Sequence, residues 1–335
     1  MIIDVFCHIL TPKYLEKRNQ KAIDGWNEKK SSKYIEVLPA LVDLEARFRI
    51  MDQYPDVLQV LSMATPALET MTKPEDAVDL AKIANDEMAE LVMKYPERFV
   101  GAIACLPWND IDATLVEIDR AVKDLKFRGI HICTDINGMA IDSPELLPVY
   151  EKMVEYDLPV FIHPQRAATI PDYKDEEISE YGIWTKIGWP HETSKAMIRL
   201  SGSGILEKFP TIKFVTHHAG GTIPFLEHRI SGGEDFNEMR MGYRYKNHLT
   251  KKLTDYLRMF YNDTAVYGNT AALMCTYAFC GADQMIFATD LPFDSQGGYR
   301  YLRETIRSVN EMTITDSERK KIFSENAIKL LRLAV

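Results

Sequence analysis

No apolar run in the 335-residue chain approaches the roughly 18–20 residues that a membrane helix needs, so no membrane span is expected. A basic excess is missing as well: 40 Lys and Arg face 49 Asp and Glu, for a formal net charge of -9. That balance argues against a nucleic-acid surface, which would show a basic face. The first residues carry no basic segment, no full apolar core and no cleavage site, so no secretion signal is read there. Cysteine is sparse, scattered and odd in number, at Cys7, Cys105, Cys133, Cys275 and Cys280. This reads as reduced, buried thiols in a cytoplasmic protein, the other reading being a catalytic or metal-binding cysteine. Internal repeats and low-complexity tracts are absent. No glycine follows the first apolar run in "HILTPKY", where a doubly wound dinucleotide-binding sheet would usually carry one.

What is present is a soluble globular composition, 46% apolar and 27% charged, in which short apolar runs alternate with amphipathic stretches. Strands are expected at 2–7, 57–63, 99–105, 129–134, 159–163, 213–217, 259–263 and 285–290. Helical spacing marks 74–95, with Pro74 and acidic residues in the first turn, and 110–125, with Asp110 as cap. Apolar strands separated by helices read as parallel βα units. Eight of them predict an α/β fold, a (β/α)8 TIM barrel forming one domain over residues 1–335. Long insertions are expected after strands one, five and six, at 11–50, 164–200 and 231–257. They would serve as lids or subunit contacts, and the stretch 230–252 could form a mobile flap.

In a barrel, polar residues at strand C-terminal ends are the functional class. Here these are His8, His163, the pair His217–His218, and Asp290. Imidazoles and a carboxylate suit Zn²⁺, Mn²⁺ or Fe²⁺, and three protein ligands leave an open catalytic position. His8, His163 and Asp290 would supply that set, leaving a histidine of strand six for proton transfer. Strand alternation lets one of the pair face the site. The following "AGGTIP" favours His218, with His217 packing outward against a helix. Asp263 also sits at a strand end, as a supporting or site residue. Arg47 and Arg229 are candidates for anchoring an anionic substrate, because guanidinium pairs bidentately with carboxylate. On the first strand, Asp4, Phe6 and His8 are expected to share a face.

In order and spacing, "IDVFCHILTPKY", "EARFRIMDQ", "YPERFVGAIACLP", "PVFIHP", "GWPHETSKAMIRL", "ILEKFPTIKFVTHHAGGTIPF" and "FATDLPF" resemble the amidohydrolase-2 branch of the amidohydrolase superfamily. Within it, the likeness is to 2-amino-3-carboxymuconate-6-semialdehyde decarboxylase and related aromatic-acid decarboxylases. The resemblance implies a (β/α)8 barrel, a divalent metal (zinc first, manganese second), and non-oxidative decarboxylation. It implies His8, His163 and Asp290 as metal ligands, with His218 and Asp290 as catalytic residues. Arg47 would bind a substrate carboxylate, and Arg229 would reach across a homodimer interface. Trp184 and Phe293 would line the pocket.

The departure is Phe6, which stands where such enzymes place a histidine or glutamate ligand. Either a three-ligand site persists, or tight metal binding is lost. Asp4 cannot substitute, lying ~6–7 Å deeper along the strand. Three functions follow: a decarboxylase of an aromatic or muconate-type acid; a metal-dependent hydrolase or hydratase of a small carboxylate-bearing ester, lactone or amide; or a degenerate member without tightly bound metal.

Overall fold

The computed structural model describes residues 1–23, 35–242 and 249–335. The eight apolar runs form strands β1 (Ile2–Ile9), β2 (Val57–Met63), β3 (Phe99–Ala102), β4 (Ile130–Cys133), β5 (Val160–His163), β6 (Phe214–Thr216), β7 (Tyr261–Asp263) and β8 (Met285–Ile286). All neighbouring pairs are parallel, in the orders β1–β2–β3 and β4–β5–β6–β7–β8. Ala104 bridges Ile130 and joins β3 to β4. Past the short ladder of β8, Val5 N–H donates to Phe287 O, Asp290 N–H to Phe6 O, and His8 N–H to Leu291 O, which closes the barrel. The regular part of the eighth strand is thus much shorter than the run 285–290, because its far half pairs with β1 through single bonds rather than a ladder.

Ile3, Val5, Phe6, Val60, Ile103, Phe161, Val215 and Ile286 form one buried cluster with Ala327, Leu330 and Leu331 of the helix Asn326–Leu331. The outer layer is helical. The helix Pro74–Lys94 begins on a proline with Glu75 and Asp76 in its first turn. The helix Ile111–Lys123 is capped by Asp110, whose carboxylate accepts from Ala113 N–H at 2.9 Å. The insertion after β1 contains the helices Pro12–Lys21 and Leu44–Met51. The stretch expected as a flap after β6 instead continues the helix Ile223–Met241, and residues 243–248 of it lie outside the described residues. Among the described residues, no helix is long and apolar enough to cross a membrane.

One irregularity matters for the site. The pairing of β1 with β2 shifts register between Asp4 and Cys7, a bulge that breaks strict alternation. Asp4 therefore leaves the row it was expected to share: its carboxylate accepts from Thr289 Oγ1 at 2.5 Å and Thr289 N at 3.0 Å. Phe6 and His8 remain together, with ring centroids 5.4 Å apart. Burial pushes the Asp4 carboxyl up to about 6, against hydrogen bonds from Thr289 and Phe6 that lower it. Since this exceeds the ordinary value of 3.8, the folded chain holds the proton more tightly. The stability this contributes is complete below about pH 4 and is lost as pH rises through about 6. Asp4→Asn, which cannot titrate, is expected to gain stability relative to wild type as pH rises across that window. Denaturant midpoints measured over the range check this, and parallel curves would refute it.

Candidate metal centre and active site

Three imidazoles reach one point from the ends of β1, β5 and β6. His8 Nδ1 lies 3.3 Å from Met63 O and 3.3 Å from Ser62 Oγ. His163 Nδ1 lies 2.7 Å from Pro164 O, and His217 Nδ1 meets Asp263 Oδ2. A carbonyl or carboxylate facing Nδ1 makes that nitrogen the N–H donor, so each ring presents the lone pair of Nε2. The ligand atoms of His8, His163, His217 and Asp290 all lie within 4.8 Å of one another, and all four residues are buried. His8 Nε2 is 3.3 Å and His217 Nε2 is 3.5 Å from Asp290 Oδ1, yet neither nitrogen has a hydrogen-bond partner among the described residues. Buried nitrogens orphaned around a carboxylate are the arrangement that a divalent cation satisfies, so the residues present fit a metal ion. A second donor set, His131, Cys133 and His163, shares one ring with the first. There burial pushes the Cys133 thiol far up, which disfavours the thiolate a metal would need.

His217 does not pack outward, as alternation predicts. It and His218 both face the site, with ring centroids 4.0 Å apart. The reason is local: alternation holds only along extended chain, and here φ is +57° at His218, +55° at Ala219, +77° at Gly220 and +63° at Gly221. This left-handed run folds His218 back over the mouth. Glycine is required at its end, since a Cβ on Gly221 would lie 2.3 Å from Pro190 O. Asp290 is also left-handed, at φ +63°, a strain of the kind found at functional sites. Asp263, at the end of β7, orients His217 and accepts from the N–H groups of Ala219 at 2.9 Å and Ala265 at 3.0 Å.

Tyr267, which no sequence signal singled out beyond its place after β7, ties the polar groups together. Its hydroxyl donates to Asp290 Oδ2 at 2.9 Å and lies 3.0 Å from His218 Nε2. Burial alone would raise the Asp290 carboxyl, but the imidazoles of His217, His218 and His8 gathered around it outweigh burial and hold the group well below the usual range. Burial works against a charged His217, yet Asp263 and Asp290 lift it to about 10. Burial, together with the charge on His217, lowers both His163 and His218.

The walls are aromatic. Phe6 stacks on His217 with centroids 4.3 Å apart, and Phe293 lies 5.5 Å from His8. Trp189 is 5.3 Å from His163 and stacks over His218 at 6.3 Å. Trp184 sits one ring further out, 5.6 Å from Trp189, so the indole beside the imidazoles is Trp189, five residues along the same loop-to-helix segment.

The two arginines differ in setting. Arg47 is fully buried, and each guanidinium nitrogen already donates: Nε to Ala40 O at 3.2 Å, Nη1 to Gln59 Oε1 at 2.7 Å, and Nη2 to His8 O. These bonds brace the backbone beneath His8 and occupy the fork expected to pair with a substrate carboxylate. Arg229 is exposed on the helix Ile223–Met241.

The family profile named Amidohydrolase matches residues 3–333. Gamma-resorcylate decarboxylase of Polaromonas sp. is 29% identical over 313 residues, which cover 89% of this chain and 90% of that one. 2-Amino-3-carboxymuconate-6-semialdehyde decarboxylase of Dictyostelium discoideum is 28% identical over 291 residues, covering 87% and 77%. Among solved structures, 5-carboxyvanillate decarboxylase of Novosphingobium aromaticivorans, complexed with manganese and 4-hydroxy-3-methoxy-5-nitrobenzoic acid, superposes with a TM-score of 0.83 at 25% identity, covering 99% and 96%. 2,6-Dihydroxybenzoate decarboxylase from Rhizobium gives 0.81 at 24% identity, covering 99% of each chain. With its match running almost end to end, the chain belongs to the amidohydrolase family.

Proposed function

We propose that this protein is a divalent-metal-dependent, non-oxidative decarboxylase of an aromatic or muconate-type carboxylic acid. The observation that carries the reading is the cup of imidazoles whose Nδ1 atoms are anchored and whose Nε2 atoms converge on Asp290. Relatives that match along most of their length are decarboxylases of such acids. His8, His163 and Asp290 would hold the ion, with zinc and manganese the candidates; manganese is present in a solved neighbour. When bound, the ion supplies a Lewis acid that gathers the oxygens of the substrate's carboxylate or adjacent hydroxyl.

The chain's own residues do the rest. Phe293 and Trp189 offer flat apolar faces that orient a planar acid and keep water out, with Phe6 packed behind the imidazoles. Loss of CO2 leaves an electron pair on carbon, and a proton must replace the carboxyl group there. His218, Tyr267 and Asp290 form the hydrogen-bonded chain that holds this proton and delivers it. Tyr267→Phe removes the link, whose loss of a charge-assisted bond worth ~1.5–3 kcal/mol should lower kcat by roughly 10–100-fold with little change in KM. Steady-state kinetics check it, and an unaltered kcat would take Tyr267 out of the proton path.

Arg229 would reach the neighbouring site of a homodimer. Its helix also exposes Phe225, 82% accessible, and Met239, 76% accessible, a face suited to a second copy. Five free cysteines suit a cytoplasmic location. Incubating the Mn²⁺- or Zn²⁺-loaded protein with a panel of hydroxybenzoic and muconic acids should release CO2. Release of an alcohol or amine without CO2 would overturn the reading in favour of a hydrolase.

A further inference from the structure

Phe6 offers no donor, so the first strand gives the site one ligand, His8, while four donors converge there: His8, His163, His217 and Asp290. We infer that His217 is the fourth ligand, moved from the first strand to the end of β6, with Asp263 as its positioning residue and His218 left off the ion. The inference rests on the metal-dependent reading above and assigns a coordination role that separates the two adjacent histidines.

Three observations carry it. His217 belongs to the convergent donor set, its Nε2 orphaned and 3.5 Å from Asp290 Oδ1. His218 does not belong to the set, and its Nε2 is engaged by the Tyr267 hydroxyl at 3.0 Å. Asp263 is itself fully buried and holds the opposite nitrogen of His217, while two backbone N–H groups fix the other carboxylate oxygen. A carboxylate behind a histidine in this way fixes its tautomer and raises its basicity as a ligand, as in carboxylate–histidine–metal arrangements. Phe6 completes the support: its ring lies 4.3 Å from that of His217 at an interplanar angle of 22°. The side chain that withholds a donor thus acts as the platform that sets the plane of the ring replacing it. The bland alternative is a plain His217–Asp263 ion pair, which would affect stability and leave metal affinity alone.

The test uses the full-length protein stripped with a chelator and titrated with Co²⁺, reading both the visible absorption of the bound ion and competition against a colorimetric chelator. Wild type should bind one ion per chain. His217→Asn should weaken Co²⁺ by about 100-fold and change the band pattern, and Asp263→Asn should weaken it ~10–100-fold. His218→Asn should alter neither beyond about threefold. Phe6→His placed in the His217→Asn background should recover at least about tenfold in affinity, which also shows that the single variant folds. An unaltered affinity and spectrum in His217→Asn, or their loss in His218→Asn, would overturn the assignment while leaving the metal-dependent reading in place. A wild-type chain that takes up no Co²⁺, Mn²⁺ or Zn²⁺ would overturn both.

Discussion

Replacing Asp290 with asparagine is expected to lower kcat/KM for the decarboxylated acid by about 10³-fold or more. Both carboxylate oxygens are in use: Oδ1 faces His8 and His217, and Oδ2 accepts from Tyr267 and faces His218 at 3.8 Å. An amide keeps the shape and removes the negative charge on which four polar groups converge. Its NH₂ would also point a donor at one of these neighbours. Two functions fail together. The donor set loses its single anionic ligand, and the proton chain through Tyr267 loses its base, a role worth ~10²–10⁴-fold where side chains transfer protons. CO2 release measured alongside metal content separates the two losses. Activity within about tenfold of wild type would remove Asp290 from the mechanism.

The second large effect is on stability. Arg47→Ala is expected to cost about 3–5 kcal/mol, the range for removing one partner of a buried charged network. The side chain is fully buried, burial lowers its pKa, and the neighbouring thiol of Cys7 and carboxylate of Asp4 favour its charge. Removing it strands Gln59 Oε1 and the carbonyls of Ala40 and His8, three acceptors that water cannot reach without a rearrangement beneath β1. Lysine cannot reproduce a fork that reaches three acceptors, so Arg47→Lys should recover only part of the loss. A denaturant midpoint that falls steeply, with KM unchanged in the protein that remains folded, is the expected pattern. A tenfold rise in KM at an unchanged midpoint would restore the substrate-anchoring role that the sequence suggested.

Arg47 illustrates why part of the site was legible in the sequence and part was not. His8, His163 and Asp290 end apolar runs, and in a parallel barrel every such end arrives at one mouth, so one-dimensional position carried three-dimensional meaning. The eight strands and the Asp110 cap were readable for the same reason. An arginine on a helix gives no comparable clue: whether it turns to the cavity or to the backbone depends on which acceptors the fold leaves open. His217 was misread because alternation is a rule about extended chain, and the backbone turns left-handed at the next residue. The "AGG" that follows signalled a turn, but not that the turn would bring both rings to one face. Asp4 escaped its row through a bulge, which no residue in "IDVFC" announces. Trp189 and Trp184 are both tryptophans of the long segment after β5, and only the path of that segment decides which lies beside His163.

The seam between β8 and β1 gives the site a history as well as a shape. His8 is made well before Asp290, and the groups that meet at 3.3 Å lie 282 positions apart in the sequence. A nascent chain leaving the ribosome at ~5–20 residues per second has its early strands in place well before the carboxylate exists. During that interval the imidazoles have no anion to gather around, and the open edge of β1 has no partner in its own chain. Closing this long-range pairing is the slow, entropically demanding event expected of such topology. Folding of the barrel and completion of its donor set are therefore one event, and only a chain that has finished the first can be charged with an ion.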